Sequence, residues 1–147
     1  MEAYFDNSAT TIVTDSVKDI VVKTMTEDFG NPSAMHMVGV KAEKYIKEAQ
    51  ENIAKILKVD PKEIFFTSGG TESNNMAIIG TAMANKRKGN KIITTSVEHS
   101  SVLATMKYLE EQGFEVIYLP VDRYGVVQME ALEKEMTEDT ILVSTMY

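Results

Sequence analysis

From residue 61 onward, short runs of β-branched and aromatic residues alternate with segments in which apolar residues recur at helical spacing. The runs predict strands, and the segments between them predict helices. The strands span 64–67, 92–95, 115–119 and 141–146, and the helices span 72–87, 100–112 and 128–136. Repeated strand–helix units of this length favour parallel strands joined by right-handed crossovers. The sequence therefore predicts an α/β fold, a mostly parallel sheet flanked by helices.

The first sixty residues follow a different pattern, in which a short extended segment precedes two helices. The first helix, near 16–27, has an apolar face formed by Val17, Ile20, Val21 and Met25. Asn31-Pro32 then interrupts the helical pattern. A longer helix, about 38–58, carries an apolar stripe that runs from Val38 to Ile56 between charged residues. We expect this helix to lie on a core through that stripe.

The composition is typical of a soluble globular protein, with 44% hydrophobic and 25% charged residues in a chain of 147. No segment approaches the ~18 consecutive apolar residues of a membrane span. The first residues carry acids where a secretory signal would carry Lys or Arg, and no cysteine suggests the disulfides of an exported protein. We therefore expect a cytoplasmic protein with no membrane partner.

The net charge argues against a nucleic-acid partner, and the positions of the histidines argue against a metal site. The net charge is −7, and the basic residues are scattered apart from a short group at 86–88. The two histidines, His36 and His99, are far apart in sequence and leave no recognisable zinc spacing. We expect no nucleic-acid partner and no metal site. His36, which follows Asn31-Pro32-Ser33, is predicted to belong to an ordered loop.

Small and hydroxyl-bearing residues follow the first predicted strand, where the chain reads Ser68-Gly69-Gly70-Thr71 before a helix. In an open parallel sheet, ligands bind beyond the carboxyl ends of the strands. Glycines allow a close backbone approach, and a helix N-terminus directs free N–H groups and its positive dipole end at an anion. The stretch predicts a phosphate site, to which Thr71 adds a hydroxyl donor. An ordinary turn with a helix cap is the alternative.

His99 follows the second predicted strand, so we expect it at the same edge of the sheet as the phosphate site. A capping or structural histidine is the alternative. Two common nucleotide sites do not fit the sequence. A P-loop needs Gly-Lys-Ser/Thr where this chain has Gly70-Thr71-Glu72, and a Rossmann fingerprint needs G-x-G-x-x-G where this chain has only Gly69-Gly70.

Five stretches of the sequence carry a family pattern. They are YFDNSATT (4–11), FGNPSAMH (29–36), IFFTSGGTESNN (64–75), IITTSVEHSSV (92–102) and VDRYG around Asp122. In order and spacing they resemble the N-terminal part of the NifS/IscS-like cysteine desulfurases, which are pyridoxal-phosphate (PLP) enzymes of the class V aminotransferase group. The resemblance implies the N-terminal portion of the PLP-dependent transferase (aspartate aminotransferase-like) large domain.

The resemblance also implies roles for individual residues. Gly70 and Thr71 would hold the phosphate of PLP, and His99 would lie over its pyridine ring and take part in proton transfers. Asn7, Ala9 and Thr10 match the family's stretch that approaches the substrate. The implied division is a segment 1–15 near the substrate side and, at 16–147, a partial PLP-binding large domain truncated at a strand.

The family reaction converts L-cysteine to L-alanine and passes the sulfur on as an enzyme-bound persulfide for iron–sulfur cluster or thio-tRNA synthesis. It needs a lysine that binds PLP covalently, an acid at the pyridine nitrogen, an arginine for the substrate carboxylate and a cysteine nucleophile. This sequence has no cysteine, and Lys62 and Lys91 precede their predicted strands, at the other end of the sheet. We expect an N-terminal fragment, a truncated gene product or one half of a split enzyme, that is inactive alone.

The resemblance implies L-cysteine as the substrate. A homo-oligomer or a complementary C-terminal fragment would be the partner, together with a sulfur-acceptor scaffold protein. Three alternatives stay open. Another class V PLP enzyme, such as a selenocysteine lyase or an aminotransferase, would share the fold. A non-catalytic association module would pair through the strand at 141–146, and a simple phosphate or nucleotide binder would use 69–71 without preference for PLP.

Overall fold

The structure, a computed structural model, describes residues 3–146 of the chain. Its helices are α1 (Asp15–Thr26), α2 (Met37–Leu57), α3 (Gly70–Asn85), α4 (Ser100–Glu111) and α5 (Met129–Glu135), with a 3-10 turn at Pro61–Glu63. Its strands are β1 (Lys91–Thr95), β2 (Glu115–Leu119) and β3 (Thr140–Val143). The chain divides into two compact units, Met1–Phe65 and Phe66–Tyr147.

The second unit contains a three-stranded parallel sheet in the order β2-β1-β3. β1 is the central strand, and it pairs with β2 from Lys91 opposite Glu115 to Thr95 opposite Leu119. β1 is buried almost along its whole length because it has a strand on each side and helices against its face. Since parallel strands share their direction, the segments that follow β1 and β3 leave the sheet at the same edge.

The core of this unit lies between β1 and the paired helices α3 and α4. The helices contribute residues three or four apart, and the strand contributes Ile92. The buried apolar residues of this core are Ile78, Ala82, Ile92, Val102, Met106, Leu109 and Phe114. The α/β fold predicted from the sequence, with a parallel sheet flanked by helices, is confirmed.

The predicted strand at 64–67 is wrong. The backbone is extended at Ile64, but residues 65–67 form no backbone hydrogen bond with a neighbouring strand within the described part of the chain. The Ile64 carbonyl instead accepts a hydrogen bond from the Gln50 side chain at 3.0 Å. A β-branched and aromatic run makes an extended conformation favourable, but a strand also needs a ladder partner.

In the first unit, α1 and α2 form where the sequence predicts helices, but their apolar faces are less buried than expected. α1 has no buried residue, and in α2 only Gly39 and Ala54 are buried. The expected stripe is half-buried at Ala42, Tyr45, Ala49 and Ile53, whereas Val38, Ile46 and Ile56 are exposed. The buried part of the stripe is therefore narrower than the sequence indicates. Helical period predicts which residues share a face, but not how much of that face other parts of the chain bury.

The loop before α2 is ordered by close backbone packing and by His36, as predicted. A Cβ on Gly39 would lie 2.3 Å from the Ala34 carbonyl oxygen, and one on Gly30 would lie 2.2 Å from that of Val38. The backbone N–H of Gly39 donates to Nδ1 of His36 at 3.2 Å, so His36 caps α2. The FGNPSAMH stretch thus has a structural reason to contain both glycine and histidine.

Candidate functional site

The start of α3 presents backbone donors without partners in the helix. The first helical hydrogen bond runs from the Ser73 N–H to the Gly69 carbonyl, 3.1 Å apart. The N–H groups of Gly70, Thr71 and Glu72 therefore lack a carbonyl one turn earlier. These groups and the positive end of the helix dipole point to the same side, which suits an anion.

The loop that leads into α3 is held by its own side chains. The carboxylate of Glu72 accepts hydrogen bonds from the Ser68 N–H at 2.6 Å and from the Ser68 hydroxyl at 2.7 Å. These two bonds hold the pKa of the Glu72 carboxyl below its ordinary value, and the bond from the Ser68 N–H has the larger effect. The Thr67 and Ser73 hydroxyls lie 2.7 Å apart across the same turn. These bonds fix the turn and leave the N–H groups of Gly70 and Thr71 available.

Neither glycine of the turn is required by the packing of the described residues. A Cβ on Gly69 or Gly70 would meet no atom within 4 Å, and Gly69 has an extended backbone that any residue adopts. Gly89 differs, because a Cβ there would lie 2.2 Å from the Asp139 carbonyl oxygen. The start of α3 thus offers free N–H donors and open space, which is compatible with a phosphate group such as that of PLP.

His99 caps α4 and is exposed. Its Nδ1 accepts a hydrogen bond from the Ser101 N–H at 3.2 Å and lies 2.8 Å from the Ser101 hydroxyl. With Nδ1 as an acceptor, the proton of the neutral ring lies on Nε2. The capping alternative for His99 is therefore observed. The cap uses Nδ1 and the residue is exposed, so capping and a role in a site are compatible.

A hydrogen-bond network joins the first turns of α3 and α4. The Asn75 side chain donates to the Thr71 carbonyl at 2.8 Å, and the Asn74 side chain donates to the Ser101 hydroxyl at 2.9 Å. The Thr105 hydroxyl lies 2.7 Å from Asn75 Oδ1 and 2.8 Å from the Ser101 carbonyl, and these two acceptors share its one proton. The network links the turn that carries Thr71 to the residue that orients His99.

Sequence reasoning missed the residues of this network. Ser101 and Thr105 are buried, and Asn74 and Asn75 are half-buried. A signal was present, because asparagine is unfavourable inside a helix and two in succession imply specific side-chain partners. The structure thus places Gly70, Thr71 and His99 in one unit and joins Thr71 to His99 through one network. Asn7, Ala9 and Thr10 belong to the other unit, and their position near a substrate stays a prediction.

Lys91, one of the two lysines considered from the sequence, does not reach this site. Lys91 starts β1, so it lies at the amino end of that strand, where its Nζ is 3.8 Å from Glu115 and 4.0 Å from Glu135. Lys62 belongs to the 3-10 turn of the first unit. Residues 3–146 contain no group of three or more His, Asp or Glu side chains that could hold a metal ion. No helix among them is long and apolar enough to cross a membrane.

Comparison with known proteins relates this geometry to a family. The aminotransferase class-V family matches residues 3–147, which is nearly the whole chain. The chain belongs to this family. The resemblance inferred from the five sequence stretches is therefore confirmed.

Curated relatives of this class-V chain are cysteine desulfurases. IscS of Methanosarcina thermophila is 50% identical over 144 residues, and an IscS of Archaeoglobus fulgidus is 48% identical over 144 residues. Each alignment covers 98% of this chain but only 36% and 38% of the relative. The chain thus spans little more than a third of the length of the curated relatives it matches.

Solved structures show the same fold. A NifS-like protein superposes with a TM-score of 0.90 at 48% identity, over 99% of this chain and 40% of that one. SspA in complex with cysteine superposes with a TM-score of 0.86 at 39% identity, over 97% of this chain and 41% of that one. The fold described above is the N-terminal part of these proteins.

Proposed function

We propose that this chain forms part of a PLP-dependent cysteine desulfurase, which converts L-cysteine to L-alanine and an enzyme-bound persulfide sulfur for iron–sulfur cluster or thio-tRNA synthesis. The observation that carries the proposal is the network from Thr71 through Asn75 and Thr105 to Ser101 and His99. It connects an anion-binding helix start with an oriented imidazole, in a chain 46–50% identical to curated cysteine desulfurases.

In this proposal, Gly70 and Thr71 hold the phosphate of PLP. The two N–H groups donate from the start of α3, and the Thr71 hydroxyl adds a third donor. The Asn75 side chain bonds to the Thr71 carbonyl and so keeps the first turn of α3 regular. When bound, PLP supplies an electron-accepting ring that stabilises negative charge at the α-carbon of an amino acid.

His99 is proposed to lie over the pyridine ring and to take part in proton transfer. Its geometry in the structure restricts this role. Nδ1 is used by Ser101, so only Nε2 can face a ligand, and in the neutral ring Nε2 carries a proton. His99 therefore acts as a hydrogen-bond or proton donor at Nε2, and Ser101 fixes the direction of that donation.

L-Cysteine is the proposed substrate, and the segment 1–15 with Asn7, Ala9 and Thr10 is proposed to approach it. One structural relative is described in complex with cysteine, which supports this substrate class. Near these residues, the backbone N–H groups of Ala9 and Thr10 donate to the Asp6 carbonyl at 3.1 and 3.4 Å and form a turn. This turn presents the Asn7 side chain as an exposed polar group.

The 147-residue chain alone is proposed to be inactive. It has no cysteine, so it cannot form the persulfide, and Lys91 starts β1 and so lies at the opposite end of that strand from His99. Activity would then need a partner, either a second copy or a complementary C-terminal fragment, and transfer of sulfur would need an acceptor scaffold protein. A cytoplasmic location suits this chemistry. We expect no cysteine-dependent sulfide release by the purified chain, and sustained release would refute this part of the proposal.

Titration of the purified chain with PLP tests the cofactor site. Binding followed by visible absorbance should be weak, saturable and competed by inorganic phosphate. Thr71→Ala should weaken it, because the variant loses a phosphate donor, whereas Thr71→Ser keeps the hydroxyl and should restore it. Thr24→Ala, which removes a helix hydroxyl in the first unit, is the control. Equal affinity for PLP and for nucleotides would instead support a simple phosphate binder, and no effect of Thr71→Ala would contradict the assignment.

A further inference from the structure

Glu98 is an acidic residue next to His99 that the proposed mechanism does not use. It is buried, with only 9% of its surface exposed. Its Oε1 accepts a hydrogen bond from the Thr95 hydroxyl at 2.9 Å and one from the Met146 N–H at 2.6 Å. The first donor belongs to the end of β1. The second lies 48 residues later, just past β3. The carboxylate therefore joins the chain at the carboxyl ends of two adjacent strands.

The bond to Met146 takes the place of a sheet hydrogen bond. The Ser144 N–H donates to the Ile93 carbonyl at 2.9 Å, which continues the register of β1 with β3. Parallel ladders advance by two residues, so the next bond would join the Met146 N–H to the Thr95 carbonyl. The structure places the Glu98 carboxylate there instead. The β1–β3 ladder thus ends on a side chain at the edge where His99 lies.

The carboxylate is held by neutral donors. Within residues 3–146, no Lys, Arg or His forms an ion pair with Glu98, and its two hydrogen-bond donors there are a hydroxyl and a backbone N–H. Burial of a charge costs free energy unless hydrogen bonds compensate it. Bonds from neutral donors to a carboxylate are shorter and stronger than bonds between neutral groups. The 2.6 Å distance to Met146 agrees with such a bond.

We propose that Glu98 is a positioning residue, the acceptor of a clamp formed with Thr95 and Met146, which sets the conformation of the β1–α4 loop and so the direction of the His99 ring. Glu98 is turned inward and its neighbour His99 outward, as expected for successive residues of an extended segment. Any displacement of Glu98 must therefore move His99. That His99 faces a cofactor rests on the proposed function, whereas the clamp itself does not.

Amide hydrogen exchange of the ¹⁵N-labelled 147-residue chain tests the clamp, with Ser144 as the internal control. In the unsubstituted chain, the Met146 N–H should exchange slowly. Glu98→Ala should speed Met146 exchange roughly tenfold or more, because a bond to a charged acceptor is lost, and should leave Ser144 protected. Glu98→Gln keeps an acceptor oxygen and should give an intermediate rate. Glu138→Ala, which removes an exposed carboxylate before β3, should change neither amide.

The ring ¹⁵N shifts of His99 test the positioning role and need no cofactor. They should move in Glu98→Ala and stay near the original values in Glu98→Gln. Thr95→Val removes the hydroxyl donor of the clamp but keeps the Glu98 carboxylate, so it should accelerate Met146 exchange less than Glu98→Ala does. This variant provides the test if Glu98→Ala does not fold. Fast Met146 exchange in the unsubstituted chain, equal rates for the Gln and Ala variants, or unmoved His99 shifts in Glu98→Ala would each overturn the proposal. Failure of PLP binding would contradict the proposed function only.

Discussion

Two buried threonines carry the same hydroxyl group in different surroundings. The Thr105 hydroxyl contacts Asn75 and the Ser101 carbonyl in the network between α3 and α4. The Thr94 hydroxyl, on β1, has no hydrogen-bond partner within the described residues although the side chain is fully buried. A buried hydroxyl stabilises the fold only when it is bonded, and it costs desolvation free energy when it is not.

Replacement of each threonine by valine should therefore have different effects on stability. Thr105→Val should lower the free energy of unfolding by about 1–2 kcal/mol, because it leaves Asn75 without its donor. Thr94→Val should leave it unchanged or raise it by up to ~1 kcal/mol. Chemical denaturation of both variants measures the difference. A loss for Thr94→Val as large as that for Thr105→Val would show that Thr94 has a partner.

Glu72 should make a small contribution to the pH dependence of stability. Its folded pKa is depressed by the Ser68 N–H and then by the Ser68 hydroxyl, so its stabilising effect is present above the unfolded pKa and is lost as the pH falls through the folded pKa. Denaturation of Glu72→Gln against pH checks this. The variant should be less stable than the unsubstituted chain near neutral pH, and the two should converge in acid. A difference that grows in acid would contradict the assignment.

At the scale of elements, turns and close approaches decide where the predicted helices and strands meet. The Asp139 carbonyl accepts the Lys91 N–H at 3.1 Å, so the loops that enter β1 and β3 touch. Gly89 lies against that same carbonyl, where a Cβ would overlap it. Gly80, inside α3, has open space at the position of a Cβ. The two glycines thus differ in what they do for the fold.

Alanine should distinguish these glycines. Gly89→Ala should cost about 1–3 kcal/mol of unfolding free energy, because the methyl group must displace backbone at the start of β1. Gly80→Ala should stabilise the protein by roughly 0.5–1 kcal/mol through helix propensity. Thermal melts of the two variants give the comparison. Equal melting temperatures would be inconsistent with the close approach of Gly89 to Asp139.

At the scale of the whole molecule, the described sheet has two edge strands, β2 and β3. Within residues 3–146, β3 has β1 on one side and no strand on the other. An unpaired strand edge is a template for pairing with another chain. The net charge of −7 opposes association of two copies, and salt reduces this repulsion. Despite this repulsion, the unpaired edge of β3 leads us to expect that the isolated chain associates, as a homo-oligomer or with a complementary fragment.

A proline at Val143 tests this association. The Ser144 N–H bonds to β1, so the Val143 N–H points to the outer side of β3, and its loss should block a new strand without breaking the existing ladder. Native mass measurement should show oligomers for the unsubstituted chain and mainly monomer for Val143→Pro. Ser144→Pro, the matched control, removes a bond to Ile93 and should destabilise the fold. A chain that is monomeric at all concentrations would contradict the expectation.

The sequence by itself determined the order of helices and strands from residue 70 onward and the positions of Gly70, Thr71 and His99, because periodicity and turn chemistry are properties of neighbouring residues. It did not show that 64–67 lacks a strand partner or that much of the stripe of α2 is exposed, since ladder pairing and cover depend on other elements. Only the tertiary structure brought Asn75 to Thr105 and Glu98 to Met146. Such contacts depend on strand register and helix packing, which join residues far apart in the chain.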